Sequence, residues 1–234
     1  MPQKNFALKI LAIIILVYFA LELVNATYYL NQYYEIRKIP HNGTYRLGNG
    51  PEIRILLIGD SIASGIGASS FNSSLAGLIA KKYSSDYKVV IVNKGRNGIQ
   101  MKDIGVPDEK FNLTIVTVGT NDVFGFASIN EFRSSSKNVF GKLAKSSDKV
   151  IVTGPADISL LDPLPILLRG AYKLTVKQYA GEINDAISQY PNIVYVNPLM
   201  YNLTVSPDDF ASDHFHPNDN GYRIWFEALE PVLP

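Results

Sequence analysis

The chain has 234 residues, 47% of them hydrophobic and 18% charged, which suits one globular domain with a sizeable core plus an appendage. Its net charge is +1 at pH 7 with no basic block, so the charge balance points away from nucleic acid as a partner. The absence of cysteine excludes disulfides, thiolate catalysis and cysteine-ligated metals.

At the N-terminus, Lys4 and Lys9 precede an uninterrupted apolar run from Ile10 to Leu21. Widened to Phe6–Val24, the run approaches the ~20 residues of a membrane span. The next cation is Arg37, so the lysine bias places the N-terminus inside and the rest outside. A retained signal-anchor fits residues 1–26, and so does a signal peptide cleaved after Val24-Asn25-Ala26. A buried helix of the soluble domain fits less well, because the run has no polar face. The rest of the chain is accordingly expected outside the cytoplasm, membrane-anchored or secreted.

Residues 27–50 read as a connector, with Tyr28, Tyr29, Tyr33, Tyr34 and Tyr45 and a closing stretch rich in glycine and asparagine. Its first half could prolong the membrane helix. Tyrosines there suit a membrane interface or packing against the domain.

From residue 51 the pattern turns regular. β-branched apolar runs at 53–59, 87–93, 113–119, 149–154 and 192–197 alternate with helical candidates near 72–84, 128–146, 168–189 and 217–230. Such alternation argues for a parallel sheet covered on both faces. Residues 51–234 are therefore expected to form a three-layer α/β/α, doubly wound, flavodoxin-like domain with a five-stranded parallel sheet, preceded by the hydrophobic helix. Ligands of such a sheet bind beyond the carboxyl ends of its strands. Polar clusters stand at those ends: Gly59-Asp60-Ser61, Asn93 to Gly98, Gly119 to Asp122, and Ser212 to Asn218.

This set, ending in Asp213-His214-Phe215-His216-Pro217, resembles the SGNH family, the GDSL-type esterases and lipases, over about residues 53–230. The first block reads GDSI instead of GDSL, a change at a position without chemistry. The resemblance implies a serine ester hydrolase acting through an acyl-enzyme on lipid or acetylated-sugar substrates. An acyltransferase using the same intermediate, or a non-catalytic binding module, is the alternative.

The residues carry that chemistry. Ser61 needs a base to act as a nucleophile. Of the three histidines, His41 lies in the connector and His214 reads as a neighbour pointing away. His216 stands before Pro217, a good first residue for the last helix. Asp213, three residues earlier, can accept from its Nδ1–H and leave Nε2 for Ser61. A histidine base predicts activity that falls on the acid side of neutrality. The Ser61 N–H is a natural first oxyanion donor. Gly98 is the second, on its spacing from Asn93 in the family pattern, and the Asn121 amide is the third. Gly95 reads as a turn glycine. Asp60 and Asp122 are expected to brace loops by accepting from backbone N–H groups. Neither a metal nor a cofactor is expected.

The apolar, proline-broken stretch from Pro155 to Val176, with Leu160, Leu161, Leu164, Ile166, Leu167 and Leu168, reads as a wall or lid over the site, a membrane-lying helix, or core. Asn-x-Ser/Thr triplets at Asn42, Asn72, Asn112 and Asn202 are too common by chance to indicate glycosylation.

Overall fold

The computed structural model describes residues 2–36, 41–197 and 206–234. Asn202, part of the connector (37–40) and the side chains of Lys4 and Leu160 lie outside the described residues. The chain opens with one long helix, α1 (Pro2–Ile36), which runs through Ala26 without a break. Its Phe6–Ile36 portion is long enough to cross a membrane and holds an 18-residue stretch with a mean hydropathy of 2.5. A signal sequence passes the same test of length and composition.

The remainder is a six-stranded sheet with helices on both faces. Its strands are β1 (Gly43–Leu47), β2 (Glu52–Gly59), β3 (Lys88–Gly95), β4 (Phe111–Thr117), β5 (Ser147–Thr153) and β6 (Ile193–Val196), in the order β1-β3-β2-β4-β5-β6. The five strands from β2 onward pair in parallel, as the apolar runs predict. The sixth, β1, comes from the connector and lies antiparallel on β3, with Gly43 opposite Asn93 and Leu47 opposite Val89. A short alternation explains it. Tyr45 and Leu47 turn inward onto the core, and Tyr45 stacks on Phe71 with ring centroids 3.7 Å apart. The flanking glycines and asparagines hide that signal in the sequence.

Alternation along the strands divides the core into two faces. Ile55 and Leu57 of β2 pack with α3 (Leu75–Tyr83) and α7 (Asp219–Leu229), whose Ile79 and Tyr222 are fully buried. Leu56 and Ile58 face α5 (Ile129–Ser146) and α6 (Arg169–Ile187), through Phe132, Phe140 and Ile183. In the Pro155–Val176 stretch, Ile158, Leu161, Leu164 and Val176 are core residues, whereas Ile166 and Leu167 are exposed.

Register brings the strand ends to one level. Gly59 stands opposite Gly95 on one side and Thr117 on the other, and Thr117 stands opposite Thr153. The loops that leave these strands therefore emerge on a common rim.

Candidate active site

β2 ends at Gly59 with φ +134°, and a Cβ there would lie 1.9 Å from the Thr117 carbonyl oxygen. Only glycine lets the strand turn so sharply against its neighbour. The chain then enters α2 (Ser61–Ser64), one turn of helix with Ser61 as its first residue.

Asp60 is the N-cap of that turn. Its Oδ1 accepts from the Ile62 N–H at 3.0 Å and from the Thr117 hydroxyl at 2.8 Å. The Thr117 hydroxyl in turn accepts from the Ala63 N–H at 3.2 Å. Asp60 is buried, and that burial pushes its carboxyl upward in pKa against the pull of these hydrogen bonds.

Asn93 holds the far side of the turn. Its amide donates to the carbonyls of Ala63 (2.7 Å) and His41 (2.9 Å), and its oxygen accepts from the Gly95 N–H. Gly95 differs from the turn glycine expected. It ends β3, and a Cβ there would lie 2.2 Å from the Ser64 nitrogen, so it is a packing glycine under α2. His41 is buried beside the same turn, with Nε2 3.2 Å from the Ala68 carbonyl oxygen.

Ser61, His216 and Asp213 meet in one line. Ser61 Oγ lies 2.9 Å from His216 Nε2, across 155 residues of sequence. His216 Nδ1 lies 2.6 Å from Asp213 Oδ2. The other oxygen of Asp213 accepts from the backbone N–H groups of Phe215 and His216 at 3.1 and 3.0 Å. Burial opposes the charge on Asp213, but the His216 imidazole and these two amides outweigh it and hold its pKa below the usual carboxylate value. All three side chains are buried.

His214 takes a left-handed backbone, φ +50°, and its Nδ1 pairs with Asp162 Oδ2 at 2.9 Å. It thus serves a different carboxylate from its neighbour two residues on.

Ser61, Gly98 and Asn121 line one cavity of about 360 Å³ together with Asp213 and His216. Gly98 has φ +72°, and a Cβ there would meet open space, so backbone conformation and not crowding demands glycine. Asn121, in the short helix α4 (Thr120–Phe124), donates one amide N–H to the Ile99 carbonyl at 3.0 Å, which orients the group and leaves its second N–H. Asp122 turns away into the core. Both its oxygens lie 3.1 Å from the Met101 nitrogen, and burial pushes its pKa up to about 7, with the Asp60 and Asp103 charges adding to the rise.

The sequence did not point to two further groups. Thr117 is the brace between β4 and α2, and an inward threonine at a strand end was its only signal. Tyr29 and Tyr33 of α1 line the cavity. Tyr33 stacks on the His216 ring, with centroids 5.4 Å apart and planes at 18°. The connector tyrosines thus divide, for Tyr28 and Tyr34 stay exposed.

Comparison with known proteins agrees with this architecture. LAE5, an α/β hydrolase enzyme from the metagenome of Lake Arreo, Spain, superposes with a TM-score of 0.60 at 18% identity, covering 79% of this chain and 96% of its own. Axe2, an acetylxylan esterase from Geobacillus stearothermophilus, superposes with a TM-score of 0.60 at 20% identity, covering 78% and 95%. At such identities the likeness is one of fold. No curated protein matches the chain in sequence. Residues 57–224 match the GDSL-like lipase/acylhydrolase family, which takes in the turn at Ser61, Gly98, Asn121 and the block through His216. With most of its length matched and these segments gathered around one cavity, the chain belongs to the GDSL-like lipase/acylhydrolase family.

Proposed function

We propose that the protein is a serine ester hydrolase whose catalytic residues are Ser61, His216 and Asp213. Ser61 Oγ attacks the ester carbonyl carbon while His216 Nε2 takes its proton. The carbonyl oxygen becomes an oxyanion, held by the N–H groups of Ser61 and Gly98 and by the Asn121 amide. Its collapse breaks the bond to the leaving alkoxide, which takes the proton from His216 and departs as the alcohol. Water, deprotonated by His216, then attacks the acyl-enzyme, and the acid is released with Ser61 restored. Asp213 stays ionised throughout and keeps Nδ1–H pointed at itself. The 1–26 segment anchors the chain, and the domain from about residue 51 works outside the cytoplasm, in keeping with Lys4 and Lys9 before the apolar run.

The observation that carries this reading is the unbroken contact from Asp213 through His216 to Ser61, 2.6 and 2.9 Å, at the edge of a cavity. Variants of Axe2 at one serine, one aspartate and one histidine are described as catalytic mutants, which supports the same three roles here. Axe2 acts on acetylated xylan or its oligosaccharides, so acetylated sugar is one substrate class for this chain. The lining favours an acyl chain, since Leu30, Phe124, Leu164 and Phe215 face the cavity.

The test is turnover of an aryl acetate by the full-length protein and by Ser61→Ala. The variant is expected to lose turnover, and a fluorophosphonate is expected to label the wild type at Ser61. Undiminished turnover in Ser61→Ala would overturn the assignment. An unlabelled, inactive wild type would identify a binding module. Acyl transfer to added glycerol in preference to water would identify an acyltransferase.

A further inference from the structure

The long N-terminal helix meets the domain along a single stripe. Phe6 to Val17 are exposed all round. From there on, Tyr18, Glu22, Asn25, Tyr29, Gln32, Tyr33 and Ile36 are half-buried, at helical spacing.

The contacts run along the stripe in order. The Tyr18 hydroxyl is buried near the Leu167 backbone. Asn25 Nδ2 donates to the Asp162 carbonyl at 3.4 Å. Tyr29 packs on His214 at 5.1 Å between centroids, and Tyr33 stacks on His216 at 5.4 Å. Ala26, Tyr29, Leu30 and Tyr33 together form one wall of the cavity.

Depth along the helix gives this wall a second meaning. Tyr18 lies inside the Ile10–Leu21 apolar run, so Leu167 beside it sits at the level of the run. At about 1.5 Å per residue, Tyr18 is roughly 9 Å below Val24, where the apolar stretch ends. Leu167, beside Tyr18, and its neighbour Ile166 are 72% and 66% exposed, apolar side chains that a lipid layer around α1 would cover. The α1 side of the cavity begins at Ala26, just past the end of that stretch. With the stretch spanning a bilayer, this level would be that of lipid headgroups and their ester bonds.

We propose that α1 is a wall of the catalytic cavity as well as an anchor, that Tyr33 is a positioning residue holding the His216 ring, and that the ester is drawn from the lipid leaflet beside α1. The proposal rests on the serine hydrolase reading. It requires α1 to be retained, since cleavage after Ala26 would free the remaining helix from its anchor.

Two measurements on the full-length protein in phosphatidylglycerol–phosphatidylethanolamine vesicles test it. The first compares a long-chain monoacylglycerol placed in the protein's own vesicles with the same ester in separate vesicles. Hydrolysis is expected to be about tenfold faster or more in the shared bilayer, because tethering raises effective concentration. Equal rates would overturn leaflet delivery. The second measures turnover of an aryl acetate. Tyr33→Ala is expected to lower kcat about tenfold with little change in KM, because a displaced base costs rate more than binding. Tyr33→Phe, which keeps the ring, is expected to recover most of that loss. An unchanged kcat in Tyr33→Ala, or no recovery in Tyr33→Phe, would overturn the positioning role. Fluorophosphonate labelling of Ser61 separates the two levels: without it in the wild type the hydrolase reading itself fails, and with it a failure belongs to the helix alone.

Discussion

The Thr117 hydroxyl donates to Asp60 Oδ1 at 2.8 Å, joining the end of β4 to the first turn of α2 across 57 residues of sequence. Asp60 thereby does two things at once, for the same oxygen caps the helix at the Ile62 N–H. The neighbouring Ser61 is held by a buried brace and not by its own contacts alone. Replacing Asp60 with alanine removes the cap and leaves the Thr117 hydroxyl without this acceptor. Asp60→Ala is expected to lose about 2 kcal/mol of stability. Asp60→Asn keeps an acceptor oxygen and should lose less. Chemical denaturation of the two variants checks the order, and equal losses would remove the brace from the account.

The proposed triad and oxyanion donors differ in what their loss should cost. Asp213→Asn keeps the shape but disturbs the tautomer of His216, and is expected to lower kcat by about 10⁴. Asn121→Ala removes one donor and is expected to lower kcat by about 10²–10³ with KM little changed. Steady-state kinetics on an aryl acetate measures both. A loss confined to KM in Asn121→Ala would take the amide out of the oxyanion hole.

Two glycines on the rim should respond in opposite ways to a single methyl group. At Gly59 the added Cβ would lie 1.9 Å from a carbonyl oxygen, and φ is +134°. Gly59→Ala is expected to prevent folding or to lower Tm severely. At Gly98 the added Cβ meets open space, with φ +72°. Gly98→Ala is expected to cost about 1–2 kcal/mol of backbone strain and still fold. Its methyl would nevertheless stand beside the proposed oxyanion donor, so kcat should fall. Thermal melts and kinetics of the pair distinguish the roles, and similar melting of both variants would contradict the geometry.

Asp122 gives a pH dependence with a definite sign. Its pKa in the folded protein is about 7, well above the ordinary aspartate value, chiefly because the group is buried. The folded state therefore holds a proton that the unfolded state releases. The stabilisation is fully present below the unfolded pKa and is lost as pH rises through about 7. Asp122→Asn cannot ionise and keeps an oxygen toward the Met101 N–H. The Tm of the wild type is expected to fall relative to Asp122→Asn as pH rises from about 5 to about 8. Parallel curves would show that Asp122 does not titrate in that range.

Much of this was legible in the sequence. The five apolar runs mark the five parallel strands, because strands buried on both faces must be apolar throughout. Asp213 and His216 are three residues apart in a short turn, so their contact is local and readable. Their contact with Ser61 was expected only from the order of the motifs along the chain. The β1 strand was not legible, since five residues of weak alternation become a strand only when β3 offers an edge. Nor was the packing role of Gly95, because it depends on α2 lying above the glycine.

The sequence by itself determined the alternation of strands and helices, the apolar helix at the start, and the residue types gathered at the strand ends. These come from local periodicity and from chemistry carried by single side chains. Only the tertiary structure decided which of those residues meet. It paired Thr117 with Asp60, sent His214 to Asp162 and laid Tyr33 on His216. Such contacts depend on the relative placement of elements distant in the chain, which packing of the whole core determines and no local pattern encodes.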